Sequence, residues 1–76
     1  MRSRDLDWTI VRPGGLTNDP GTGRVLAGPT VPRGRIPRAD VAATIAVLLT
    51  TGMASRTQFE LVSGDDPIDD AIAALG

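Results

Sequence analysis

Alternation of apolar and polar side chains near the N-terminus predicts a strand over residues 6–12. One face of this strand is apolar and holds Leu6, Trp8 and Ile10. The β-branched residues in the segment also favour a strand. Pro13 ends it, because proline has no amide proton to donate to a ladder. We therefore expect Trp8 to pack in a core or at an interface rather than to stack on a ligand.

The segment that follows lacks a regular apolar period. Residues 13–23 are rich in glycine, proline, asparagine and aspartate, which predicts a long loop. Two short extended segments come next, at residues 24–27 and 33–36. The turn residues between them predict a small hairpin.

A helical period begins after Pro37 and predicts a helix over residues 38–50. Positions i, i+4, i+7 and i+8 form an apolar stripe made of Val41, Ile45, Leu48 and Leu49, which we expect to face the core. Asp40 falls in the first turn, where a carboxylate suits the positive end of the helix dipole. Alanines cover most of the remaining surface, so residues 39–49 are apolar nearly all round and require burial on more than one side.

The last part of the chain predicts a strand over residues 57–63 and a helix over residues 67–75. In the strand, Phe59 and Leu61 share one face. Asp66 suits the N-cap of the helix and Pro67 suits its first position. The apolar face of this helix is expected to hold Ile68, Ala71, Ile72 and Leu75.

The order of these elements, β-ββ-α-β-α, predicts a single α/β domain of 76 residues with a small, mainly parallel sheet and two helices. The two main strands flank a helix, which favours a parallel crossover connection between them. The outer edge of the first strand is then unpaired, and such an edge is a template for another chain. A chain this short buries only about 60% of its unfolded surface. We therefore expect a homo-oligomer, or a chain that completes a partner's sheet.

Composition excludes several catalytic groups and several partners. The chain has no His, Cys, Tyr or Lys, so the commonest general base, the thiol nucleophile and the Schiff-base lysine are missing. The net charge of −1 gives no general attraction to nucleic acids or anionic membranes. No apolar run is long enough to span a bilayer. The absence of cysteine and of an N-terminal targeting segment fits a cytoplasmic protein.

Two charged clusters are weak candidates for binding sites. Arg33, Arg35 and Arg38 could bind a phosphate or a nucleic acid, but no aromatic side chain accompanies them. A solvated or interface face is therefore the favoured interpretation. Four aspartates at positions 65, 66, 69 and 70 lack the spacing of a calcium loop, so no metal site is expected.

Four segments are informative when they are taken together. They are LDWTIVRPG at residues 6–14, IPRADVA at residues 36–42, FEL at residues 59–61, and the acidic final helix. In this order and at this spacing they resemble the C-terminal portion of atypical short-chain dehydrogenase/reductase proteins, which bind NAD(P)H and include NAD-dependent epimerase/dehydratase-like members. The resemblance implies that the chain is a partial, C-terminal fragment of a Rossmann-like fold.

This resemblance implies roles for six residues. Arg12, Pro13, Gly14 and Gly15 would lie at the nicotinamide end of the cofactor. Arg38 and Asp40 would take part in positioning on the substrate side. No residue is assigned a catalytic role, because the part of the family that carries a catalytic Tyr and Lys has no counterpart in this sequence.

The glycine-rich turn that holds the pyrophosphate in that family is also absent from these 76 residues. We therefore expect no cofactor for the isolated chain, and NAD(P)H binding only with a complementing partner. One hypothesis is a non-catalytic module that self-associates or docks on a full-length relative. The second is the substrate-side piece of a split or truncated NAD(P)H-dependent oxidoreductase. A piece of a longer protein is the third alternative.

Overall fold

A computed structural model of the chain describes residues 9–51 and 57–75. The elements in these ranges, in chain order, are β1 (Thr9–Pro13), β2 (Gly15–Thr17), β3 (Arg24–Gly28), β4 (Arg35–Pro37), α1 (Arg38–Thr51), β5 (Thr57–Ser63), β6 (Asp66–Pro67) and α2 (Ile68–Leu75). The predicted α/β class is confirmed. The predictions for Leu6 and Trp8 lie outside the described residues.

The larger sheet has four strands in the order β1-β5-β3-β6. β1 and β5 are parallel, as predicted for two strands that flank a helix, and β3 runs antiparallel to both of its neighbours. The sheet is therefore mixed and not mainly parallel as predicted, because β3 joins it between β5 and β6 in the antiparallel direction. Among the described strands β1 has a neighbour on one side only, so its other edge is open.

The predicted hairpin between residues 24–27 and 33–36 does not form. β3 pairs with β5 and β6, whereas β4 pairs in parallel with β2 in a separate two-stranded sheet. β2 lies within the segment that was predicted to be only a loop. Its ladder depends on residues 15–17 meeting residues 35–37, a long-range contact that leaves no periodic signal in three-residue strands.

The two faces of the larger sheet differ in what covers them. Val11, Phe59 and Leu61 lie on the helix-covered face, where α1 and α2 complete the core. Side chains alternate along a strand, so Ile10 lies on the opposite face, where it is exposed. Ile10 was predicted on the apolar face of its strand, but the helices cover the face of Val11. We call the opposite face, which carries Ile10, Arg12, Leu26, Glu60 and Val62, the open face.

The packing of α1 differs from the predicted stripe. Its two buried residues are Asp40 and Thr44, and Val41 and Leu48 are half-buried against the core. The other two members of the stripe, Ile45 and Leu49, are 43% and 82% exposed. A helix that is apolar nearly all round offers no pattern that selects one face, and the hydrogen bonds of Asp40 decide which side turns inward.

The predicted apolar face of α2 is confirmed. Ile68, Ala71 and Ile72 are buried and Leu75 packs against the core. The helix begins at Ile68, one residue later than predicted, because Asp66 and Pro67 pair with β3 as β6. The amide of Ile68 donates a hydrogen bond to the Gly23 carbonyl oxygen at 3.1 Å. No helix among the described residues is long and apolar enough to cross a membrane.

Candidate functional site

Gly14 is the point at which the chain leaves the larger sheet. Its amide donates to the Leu61 carbonyl oxygen at 2.9 Å, and the amide of Gly15 donates to the Gly34 carbonyl oxygen at 3.1 Å. A Cβ atom on Gly14 would collide with that Gly34 oxygen and would lie 2.9 Å from Cγ1 of Val62. The close approach therefore requires glycine at position 14.

Residues 31–34 fold back over the open face. Gly34 lies against the side chain of Val62, and the amide of Val31 donates to Oε1 of Glu60 at 2.9 Å. The two contacts hold this segment beside the C-terminal end of β1. Ligand-binding groups in open α/β sheets lie outside this end of the strands.

An open cleft of about 250 Å³ lies between these parts. It is lined by residues 12–15, by residues 31–34 and by the side chains of Glu60 and Val62. The structure thus brings together Arg12, Pro13, Gly14 and Gly15, the four residues that the family resemblance assigns to the nicotinamide side.

The charged groups of the cleft come from three separate segments. Arg12 and Glu60 are register partners on neighbouring parallel strands, so both side chains leave the sheet on the open face. Arg33 lines the cleft from the folded-back segment. Within residues 9–51 and 57–75, neither arginine side chain has a hydrogen bond or an ion pair. Two guanidinium groups are therefore available to a ligand, beside one carboxylate that is already engaged.

Arg38 and Asp40 lie elsewhere in the structure and do not line this cleft. Asp40 is 2% exposed, and its carboxylate accepts hydrogen bonds from the amides of Thr22 and Gly23 at 2.9–3.0 Å and from the Thr22 hydroxyl at 3.2 Å. Nε of Arg38 donates to Oδ1 of Asn18 at 3.1 Å. Both residues hold the loop before β3 against the start of α1.

The predicted arginine cluster does not form one site. Arg33 lines the cleft, whereas Arg35 and Arg38 line two other surface depressions. Glu60 and Val62 were missed as members of the cleft. In the sequence Glu60 stands out only as part of the FEL segment at residues 59–61, and nothing local to it indicates that residues 31–34 fold back onto it. The part of the chain that the structure describes contains no cluster of three or more potential metal ligands.

Comparison with known proteins identifies a family model, curated relatives and solved structures that are similar to this chain. A family model described as NAD(P)H-binding matches residues 1–52. The uncharacterized sugar epimerase YhfK of Bacillus subtilis is 43% identical over 75 residues, and a UPF0659 protein of Schizosaccharomyces pombe is 35% identical over 74 residues. The alignments include 99% and 97% of this chain but only 35% and 30% of the two relatives.

Two solved structures each contain a region with the fold of this chain. One is described as an NAD-dependent epimerase/dehydratase from Bacillus halodurans, with a TM-score of 0.84 and 40% identity, and the other as the oxidoreductase ylbE from Lactococcus lactis, with a TM-score of 0.82 and 31% identity. The matches cover 92% and 93% of this chain, and 34% and 32% of those chains.

The chain thus spans about a third of the length of each of these proteins. The resemblance noted in the sequence is confirmed by the family model, by the relatives and by the solved structures. The chain belongs to the NAD(P)H-binding family, whose epimerase- and oxidoreductase-like members are its relatives.

Proposed function

We propose that the 76-residue chain is non-catalytic by itself and binds a nucleotide-binding unit of its own family through the open edge of β1. That unit corresponds to the part of the relatives that the chain does not match. In the resulting assembly, residues 12–15 form the nicotinamide-side wall of an NAD(P)H site. NAD(P)H supplies hydride chemistry when it is bound, and this chain contributes binding and orientation.

The proposal rests on one observation, namely that the strand with an open edge, β1, also lines the cleft. Its C-terminal end lines the cleft through Arg12 and Pro13, while its outer edge has no neighbour among the described strands. A strand added at this edge would lie about 4.8 Å from β1. It would therefore bring its own C-terminal end next to the cleft if it ran parallel to β1.

The composition supports the absence of independent catalysis. The sequence has no glycine-rich turn at a helix N-terminus to hold a pyrophosphate. It also has no Tyr, Lys, His or Cys to donate or accept a proton or to act as a nucleophile. The cleft alone offers walls and charges for one end of a dinucleotide or for a substrate.

Complex formation tests the docking edge. The chain is mixed with the unmatched part of the Bacillus subtilis relative, and association is followed by light scattering. Ile10→Glu places a charge on the edge strand and is expected to weaken the complex at least about tenfold, because a buried unpaired charge is costly. Leu26→Glu is the matched control, since Leu26 is an exposed apolar residue of the same face on an interior strand. Equal effects of the two changes would contradict the proposed edge.

The outer face of α1 supports a second candidate function, self-association. Leu16, Ile45 and Leu49 are exposed apolar side chains, and Leu16 and Ile45 line one shallow apolar groove together with Val41. A second copy of the chain that packed on this face would give the helix the burial on two sides that its composition requires.

A further inference from the structure

We infer that the cleft beside β1 recognises an oxyanion of the substrate, a carboxylate or a phosphate group, through Arg12 and Arg33. The inference rests on the proposed function, because it names what the same cleft takes. It does not concern the pyrophosphate of the cofactor, which the family holds at a turn that this chain lacks.

The two arginines are distant in sequence but share one cleft. Arg12 lies at the end of β1, and Arg33 lies in the segment that folds back over the open face. That segment is fixed by the hydrogen bond from Gly15 to the Gly34 carbonyl oxygen at 3.1 Å and by the bond from Val31 to Glu60 at 2.9 Å. The backbone that carries both guanidinium groups is therefore held in place before any ligand arrives.

The local charge favours an anion although the whole chain does not. The charged lining residues are Arg12, Arg33 and Glu60, which gives the cleft a net positive charge on a protein whose net charge is −1. Glu60 already accepts a hydrogen bond through Oε1. Among the described residues no carboxylate forms an ion pair with either arginine.

The backbone amides of Gly14 and Gly15 do not bind the oxyanion. The amides of Gly14 and Gly15 already donate to Leu61 and Gly34, so they cannot form an anion-binding nest of free N–H groups. Recognition must come from the side chains. A guanidinium group presents a planar pair of donors that matches the two oxygens of a carboxylate or phosphate.

The binding of small oxyanions to the full chain tests the inference. The ¹⁵N-labelled protein is titrated separately with inorganic phosphate and with acetate, at an ionic strength kept constant with sodium chloride. We expect saturable shifts of the Nε–H signals of Arg12 and Arg33 and of the amide of Gly34. A saturable response to phosphate alone identifies the substrate group as a phosphate, and a saturable response to acetate alone identifies it as a carboxylate. Either result supports the inference.

Three variants separate a site from general charge. Arg12→Gln and Arg33→Gln are each expected to weaken binding about tenfold, as for the loss of a hydrogen bond to a charged group. Arg24→Gln removes the same charge from an exposed arginine that does not line the cleft, and binding should remain within twofold of the unmodified chain. All three side chains are exposed, and dispersed amide spectra will verify that the variants fold.

Two results would overturn the inference. One is a response to both probes that does not saturate, and the other is an equal loss of binding in all three variants. A titration with NADH distinguishes this inference from the proposed function. The proposed function fails if the chain binds or oxidises NADH alone, whereas the oxyanion inference fails on the phosphate and acetate titrations regardless of that result.

Discussion

Single glycines determine how closely the chain approaches itself around the cleft. Gly14 has no room for a side chain, because the Gly34 carbonyl oxygen and Val62 occupy the position of its Cβ. Gly15 is different, since a Cβ there would lie 3.5 Å from the flexible side chain of Arg35. Gly14 therefore does not tolerate a Cβ atom, whereas Gly15 does. This difference gives a direct test of the packing that forms the cleft.

Gly14→Ala should lower the free energy of unfolding by about 1–3 kcal/mol, the usual cost of forcing extra atoms into a packed site. Gly15→Ala is the matched control and should be neutral, or slightly stabilising because alanine restricts the unfolded chain. Urea denaturation followed by circular dichroism measures both variants. Equal stability of the two would mean that residues 31–34 do not approach Gly14 as described.

Asp40 is a buried carboxylate whose hydrogen bonds stay within the chain. It ties Thr22 and Gly23 to the first turn of α1, and Gly23 has a φ of 74°, a conformation that favours glycine. The loop in turn holds the start of α2, because the Gly23 carbonyl oxygen accepts the amide of Ile68. The positioning role that the resemblance implies for Asp40 stays a prediction, and the contacts seen here are with the loop.

Asp40→Ala should lower the free energy of unfolding by about 2–3 kcal/mol, because it removes the hydrogen bonds that Thr22 and Gly23 donate to a buried carboxylate. Asp40→Asn keeps one acceptor oxygen and should lose about half as much. Asp19→Ala is the control, since Asp19 is exposed and its side chain forms no hydrogen bond with a described residue. Equal stability of Asp40→Ala and Asp19→Ala in thermal or urea denaturation would mean that Asp40 does not hold the loop to α1.

The buried faces of the amphipathic elements could be predicted from the sequence. The inward face of the uniformly apolar helix and the pairing of the three-residue strands could not. The faces of β5 and α2 follow from the alternation around Phe59 and from the spacing of Ile68, Ala71 and Ile72. α1 carries apolar residues on all sides, so no periodic signal marks its inward face, which is fixed by the hydrogen bonds of Asp40 with Thr22 and Gly23. β2 and β4 depend on a contact between distant segments, which local patterns do not encode.

The exposed apolar face of α1 gives a prediction about association. Ile45→Glu should shift any self-associated chain toward the monomer without loss of helix content, because Ile45 is 43% exposed. Ala43→Glu adds the same charge on an exposed position about 160° away around the helix, and the mass should not change. Light scattering across a concentration series measures this, and equal masses for both variants would contradict association through this face.

For the whole molecule, β1 connects the fold to the candidate site. The parallel pairing of β1 with β5 could be predicted from the order of elements, and so could the open edge. The gathering of residues 12–15 in one cleft follows from their adjacency at the end of a strand. The remaining wall could not be predicted, because it forms only when residues 31–34 fold back onto Glu60 and Val62.

The most direct test of the account is the affinity for NADH of three samples. They are the chain alone, the unmatched part of the Bacillus subtilis relative alone, and their equimolar mixture. We predict that the mixture binds NADH at least about tenfold more tightly than either part, because in our proposal the site is complete only when the two parts associate. Binding of NADH by the chain alone, or a mixture that binds NADH no more tightly than its components, would contradict this division of the site.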